Sequence, residues 1–100
     1  MIKHALSVRL EAKPGKEAAV EQFLATGLQL ANQEAGTPIW FALKFSDSVF
    51  GVFDAFETEA GRQAHLTGPI AQALMAQADE LLARQPAIEA IDVLGLKNAG

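Results

Sequence analysis

The sequence predicts an α+β fold, in which one four-stranded antiparallel sheet carries its helices on a single face. Three observations predict it. The spacing of apolar residues switches between a strand period of about two and a helical period of about 3.6. Turn-forming residues mark the switches: Pro14-Gly15, Ser46-Asp47-Ser48, Gly68-Pro69 and Pro86. The resulting order is strand, helix, strand, strand, helix, strand, which right-handed crossovers fold most economically into a ferredoxin-like β-α-β-β-α-β arrangement. With 100 residues and no linker, repeat or low-complexity tract, the whole chain, 1–100, reads as one domain.

The first strand runs from His4 to Glu11, where His4, Leu6, Val8 and Leu10 alternate with Ala5, Ser7, Arg9 and Glu11. Lys13-Pro14-Gly15 breaks it. From Lys16 the residues Val20, Phe23, Leu24, Gly27, Leu30 and Ala31 form one helical stripe, and Gly36 is the expected left-handed stop. Pro38 to Phe45 is too short and aromatic for a second long helix and reads as a strand. Val49 to Glu57 returns as its hairpin partner. Thr58 is a suitable N-cap for a short helix to about Leu66. A longer helix restarts at Gly68-Pro69, since proline is tolerated at the first helical position. Its stripe is Ile70, Ala73, Leu74, Gln77, Ala78 and Leu81; Pro86 is its expected end, and Ile88 to Leu96 forms the last strand.

Composition excludes several classes. Eight basic against twelve acidic residues give a formal charge of −4, the wrong sign for phosphate-rich nucleic acid. No apolar run approaches the roughly 18 residues of a membrane span, and the amino terminus is too interrupted for a signal peptide. The expected location is therefore the cytoplasm. There is no cysteine, hence no disulfide, thiolate ligand or cysteine nucleophile. Two histidines, His4 and His65, come with no metal-ligand spacing, and neither a phosphate loop nor a Gly-x-Ser-x-Gly elbow is present. Neither a metal nor a cofactor is expected.

A sheet with helices on one face only should turn polar residues to water on the other. Here both faces are apolar. Ile39, Phe41, Leu43 and Phe45 oppose Trp40 and Ala42, while Val49, Gly51, Phe53 and Ala55 oppose Phe50, Val52 and Phe56. In the last strand Ile88, Ala90 and Leu94 oppose Ile91, Val93 and Gly95. Such a face spans about 400 Å², more than a monomer ordinarily leaves bare. A homodimer packed through this face is expected.

Few polar residues stand in apolar company. Asp54 shares a face with Phe50, Val52 and Phe56; burial would make its charge costly unless something donates to it, and would suit a general base for a phenolic substrate. The plainer alternative is an edge carboxylate that reaches solvent or a structural partner. His65 is a natural proton shuttle or, equally, a helix-end histidine bonded to a terminal carbonyl. Trp40 offers a flat face and an N–H to an aromatic ligand, or is simply core or interface. Arg62 and Lys44 read as solvated, and Ser7 as satisfied by backbone.

Pro14-Gly15-Lys16-Glu17 at the first helix, Glu34-Ala35-Gly36-Thr37 before the aromatic strand, and Phe53-Asp54-Ala55-Phe56 leading to His65 resemble the antibiotic biosynthesis monooxygenase family. The resemblance covers nearly the whole chain. Its most specific part is an acid in the third strand, an aromatic two positions on and a histidine eleven positions on, here Asp54, Phe56 and His65. It implies a dimeric α+β barrel with a pocket between each sheet and its own helices. It also implies oxidation of a small aromatic hydroquinone or polyketide-like phenol by dioxygen without metal or flavin. Asp54 and His65 would accept or orient protons, and Trp40, Phe41 and Phe56 would wall the pocket. Where many relatives have glutamate and tryptophan, this chain has Asp54 and Phe56. Haem-degrading relatives carry an asparagine in the first strand and an iron-binding histidine in the later helix. The counterparts here are Ser7 and the histidine-free Leu74-Met75-Ala76, which disfavours haem chemistry. The competing expectations are a non-catalytic small-molecule-binding or stress-associated dimer, and an isomerase of a small carbonyl compound.

Overall fold

The computed structural model describes residues 1–97. It contains β1 (His4–Glu11), α1 (Glu17–Ala31), β2 (Ile39–Lys44), β3 (Val49–Phe56), α2 (Glu59–Leu66), α3 (Pro69–Leu81) and β4 (Ala87–Asp92). The strands form one antiparallel sheet in the order β2-β3-β1-β4, as the ferredoxin-like reading requires.

Register decides which side chains share a face. Leu6 pairs with Asp54, Val8 with Val52 and Leu10 with Phe50, and Trp40 lies opposite Asp54 from the other side. This row faces the helices. Leu10, Phe50 and Val52 pack with Val20 and Leu24 of α1 and with Ala78, Leu81 and Leu82 at the end of α3. Leu6 and Phe56 are equally buried. The burial of these side chains is what fixes the register, since a slip of one residue would turn the whole set outward.

Local signals explain the boundaries. Gly15 takes a left-handed φ of 85° in the turn that closes through Lys16 N–H donating to the Lys13 carbonyl. Thr58 caps α2 by accepting from the Gly61 N–H at 2.9 Å, and Gly68-Pro69 starts α3 with proline in its first turn.

Several expectations need correction. Gly36 does not stop α1, which ends at Ala31 and tightens through Gln33 and Glu34 N–H groups bonding back to the Leu30 and Ala31 carbonyls. Helix α3 ends at Leu81 rather than at Pro86, because Leu82 pairs with Ala12 and the Ala83 N–H bonds the Glu11 carbonyl. The last strand stops at Asp92: beyond the Val93 N–H bond to the Lys3 carbonyl no strand among the described residues lies alongside, and Leu94 is fully exposed. Gln77 is exposed rather than in the buried stripe. Arg62 is not solvated; its side chain is 11% exposed and its Nη1 donates to the carbonyls of Ala5 and Ile91, tying α2 to β1 and β4.

Candidate functional site

The candidate site grows from β3. Alternation on this strand turns Phe50, Val52, Asp54 and Phe56 toward the helices, so Asp54 is carried inward by its neighbours' hydrophobicity. Its exposure is 0%, which excludes a carboxylate reaching solvent. The compensation comes from α2. The Thr58 cap and the close approach of α2 to β3 bring His65 inward, and its ring sits 5.5 Å from that of Phe56. Nε2 of His65 lies 2.8 Å from Oδ2 of Asp54. Among the described residues neither Asp54 oxygen has any other partner. The pair is thus an ion contact with unfilled acceptor capacity.

On the other side of the ring, Nδ1 of His65 lies 2.7 Å from Oε1 of Glu34. Thr37 donates its hydroxyl to the same oxygen at 3.0 Å. Desolvation pulls the His65 pKa down; hydrogen bonds and charge from Asp54, then Glu34, outweigh it and hold the pKa above the ordinary imidazole value. An imidazolium between two carboxylates is the resulting arrangement. The carboxylates occupy opposite nitrogens of one ring, so they do not converge on a common point as metal ligands must.

Asp54 and His65 line a small cavity between sheet and helices, with a volume of about 50 Å³. Its other walls are apolar and include Leu6, Val52, Trp40, Phe23, Ile70 and Leu74. Trp40 is a second orphan here, because its buried indole N–H has no acceptor among the described residues. Gly27 makes room for the indole; a Cβ there would lie 3.3 Å from its ring. A shallow groove of about 290 Å³ runs between α1 and α3, and Phe23 and Ile70 line both it and the inner cavity. These two side chains are the partition between them.

The structure brings together His65, Asp54, Trp40 and Phe56, and separates one residue from them. Phe41 does not wall this cavity. It has the opposite parity to Trp40 on β2 and points to the open face, where it is 56% exposed. Phe56 contributes as support beneath His65 rather than as a cavity wall. The sequence names Glu34 only within the Glu34-Ala35-Gly36-Thr37 motif and gives it no role in the site. Its partner is 31 residues away, so no local spacing reveals it. The one available signal is an acid placed three residues before Thr37 in the loop leading into an aromatic strand.

No protein-family model matches the chain, and no curated protein matches it. Solved structures do. Two proteins, each named "putative antibiotic biosynthesis monooxygenase", share the fold. One, from Nitrosomonas europaea, is 16% identical, with TM-score 0.81 over 92% of this chain and 90% of its own. The other, from Caulobacter crescentus, is 18% identical, with TM-score 0.78 over 94% of this chain and 92% of its own. A likeness of this kind establishes the shape and leaves the chemistry open. A third structure, the Nitrosomonas europaea protein NE2512 of unknown function, is 62% identical, with TM-score 0.96 over 100% of this chain and 97% of its own. At that identity over its full length, the chain belongs to the same family as NE2512.

Proposed function

We propose that the chain is a cofactor-independent monooxygenase that oxidises a small aromatic hydroquinone or phenol with dioxygen, and that it works as a homodimer. One observation carries the reading. A single apolar cavity holds a buried carboxylate with unfilled acceptors, Asp54, and a buried N–H donor with no acceptor, Trp40. A hydroxyl group answers both, because it donates to Asp54 and accepts from the indole. The apolar walls suit the ring that bears such a hydroxyl.

At about 50 Å³ the cavity is far below the size of ligand pockets, which start near 300 Å³. The ring therefore enters by displacing Phe23 and Ile70, which merges the cavity with the α1–α3 groove. Passing the hydroxyl proton to Asp54 leaves an electron-rich anion that dioxygen oxidises readily. The adjacent imidazolium of His65 offsets the new negative charge, and the apolar walls exclude water. The homodimer is supported by the open face, where Phe41, Phe45 and Ile91 are 56%, 52% and 36% exposed.

Dissolved-oxygen uptake by metal-stripped protein, against a panel of hydroquinones and hydroxylated naphthalenes, tests the reading. Uptake above autoxidation should fall about a hundredfold or more in His65→Ala and Asp54→Asn with circular dichroism unchanged. Equal rates in both variants would remove these residues from the mechanism. Product formed under strict anaerobiosis would instead assign an isomerase. A ligand-induced rise in Tm with no oxygen consumed would assign a binding protein.

A further inference from the structure

His65 stands between two cavities. It lines the inner apolar cavity with Asp54 and Trp40, and also an outer cleft of about 150 Å³ with Glu34, Thr37, Gly36, Gly61 and Ala64. The ring nitrogens divide the same way, Nε2 toward Asp54 and Nδ1 toward Glu34. The carboxylates differ in their access to water: the Asp54 side chain is 1% exposed and that of Glu34 is 21% exposed. Oε2 of Glu34 is itself buried and has no partner among the described residues, so an acceptor stands unfilled in the wall of the cleft. Among the described residues, Asp54 from β3 and Glu34 from the loop after α1 are the charged groups within ion-pair distance of His65. Arg62, on the same helix, is turned to Glu59 and to the Ala5 and Ile91 carbonyls. From β1, β2 and α3, the cavity beside His65 is walled by Leu6, Trp40 and Ile70, none of them titratable near neutral pH.

We infer that Glu34 is the outward proton port of the site: protons reach and leave His65 through its carboxylate and the outer cleft, while the inner cavity stays closed to water. The inference rests on reading Asp54 and His65 as the pair that handles the substrate proton. Once the substrate anion has been oxidised, neither its charge nor that of the now protonated Asp54 supports the neighbouring imidazolium. The His65 Nδ1–H bond then breaks as an Oε1–H bond forms on Glu34. That proton passes on to a water of the cleft, leaving a neutral imidazole and a carboxylate. No electron moves, and one proton has reached solvent for the one taken from substrate. Glu34 touches no substrate, so it is a positioning residue, and the Thr37 hydroxyl holds its Oε1 in place.

The test needs no substrate. Nuclear magnetic resonance of the unliganded protein measures the solvent-exchange lifetime of the His65 ring N–H, at a pH where His65 is protonated in every variant. A carboxylate relays a proton and an amide does not, so Glu34→Gln should slow the exchange about tenfold or more. If Glu34 merely shields the N–H, Glu34→Gln would leave exchange unchanged or faster, and the inference would be overturned. Ala64→Leu, at an exposed helical position, narrows the cleft without touching the three charged groups. It should also slow exchange, and an unchanged lifetime would overturn the port even if Glu34→Gln did not fold. Ile70→Ala opens the inner wall, and faster exchange there would place the route on the wrong side. Because oxygen uptake is not involved, failure of the port and failure of the monooxygenase reading are separately visible.

Discussion

The two faces of the sheet invert the usual rule in opposite senses. Adjacent residues on β3 show it: Asp54 is fully buried under the helices, whereas Phe53, next to it, is only half-buried on the face that no helix covers. Sliding the strand by one position would put the acid in water and the phenyl ring in the core. The sequence keeps the costlier arrangement because each inversion has its own compensation. On the covered side it is visible as the Glu34–His65–Asp54 cluster. On the open side the proposed second copy would supply it. A residue misplaced by polarity is thus a pointer to function on either face, to a site in one case and to a surface in the other.

The largest expected effect comes from breaking the covered side. His65→Leu leaves Asp54 as a fully buried carboxylate and Glu34 as a partly buried one, with no cation between them. Urea unfolding should show a loss of about 3–5 kcal/mol, a large share of the stability of a domain this size. Replacing Asp54 by leucine in the same protein should recover most of that loss, since a buried ion pair exchanged for apolar groups is often neutral. If the single and double variants were equally unstable, packing around His65 rather than charge would be the reason the cluster persists.

Breaking the open side should cost the fold little and the assembly more. Phe41→Ser removes one ring from each copy, and with about 2 kcal/mol of burial per ring the symmetric pair loses about 4 kcal/mol, or roughly a thousandfold weaker self-association. Sedimentation velocity over a range of concentrations reads this directly. A wild-type chain that stays monomeric at every concentration would leave the open face without compensation and end the symmetry of the comparison.

Much of this was legible in the sequence, and the limits have physical causes. Strand β1 was readable to the residue because alternation is a local property of a half-buried strand. So was the start of α2, since the Thr58 cap bonds only three residues away. The parity of β2 was readable as well, and it already put Trp40 and Phe41 on opposite faces, so the resemblance that implied both as pocket walls could hold for only one of them. Asp54 and His65 could be suspected from their company. Glu34 could not, because its role is created by a contact across 31 residues. Arg62 looked like any helical surface arginine, and only the tertiary approach of α2 to β1 and β4 reveals two backbone carbonyls as its partners.

The covered side can also be sharpened by pH. The fold holds the His65 pKa above its ordinary value of 6.5. A raised histidine pKa contributes stability that is fully present below the unfolded value and is lost as pH rises through the folded one. Stability should therefore decline from about pH 6.5 upward, with a slope approaching 1.4 kcal/mol per pH unit between the two values. Chemical denaturation at stepped pH in a His4→Gln background isolates the effect, because His65 is then the only histidine. A flat profile over that interval would mean that folding does not favour the imidazolium.

The smallest effect probes the open face without removing any of its area. The Arg9 guanidinium carbon lies 4.2 Å from the centroid of the Phe45 ring, and that ring lies flat because Gly51 beneath it has no side chain. A cation over an aromatic face is worth about 0.5–1 kcal/mol in water and about 2 kcal/mol or more when desolvated. A double-mutant cycle of Arg9→Ala and Phe45→Leu therefore reports the environment of the pair as well as its strength. In dilute protein the coupling should sit in the lower range. At concentrations where the chain self-associates it should rise toward the upper one, because a second copy would strip water from the guanidinium. A coupling independent of concentration would place the pair outside the covered area. The covered area would then centre on Phe41, Phe53 and Ile91, away from the corner where Phe45 follows β2.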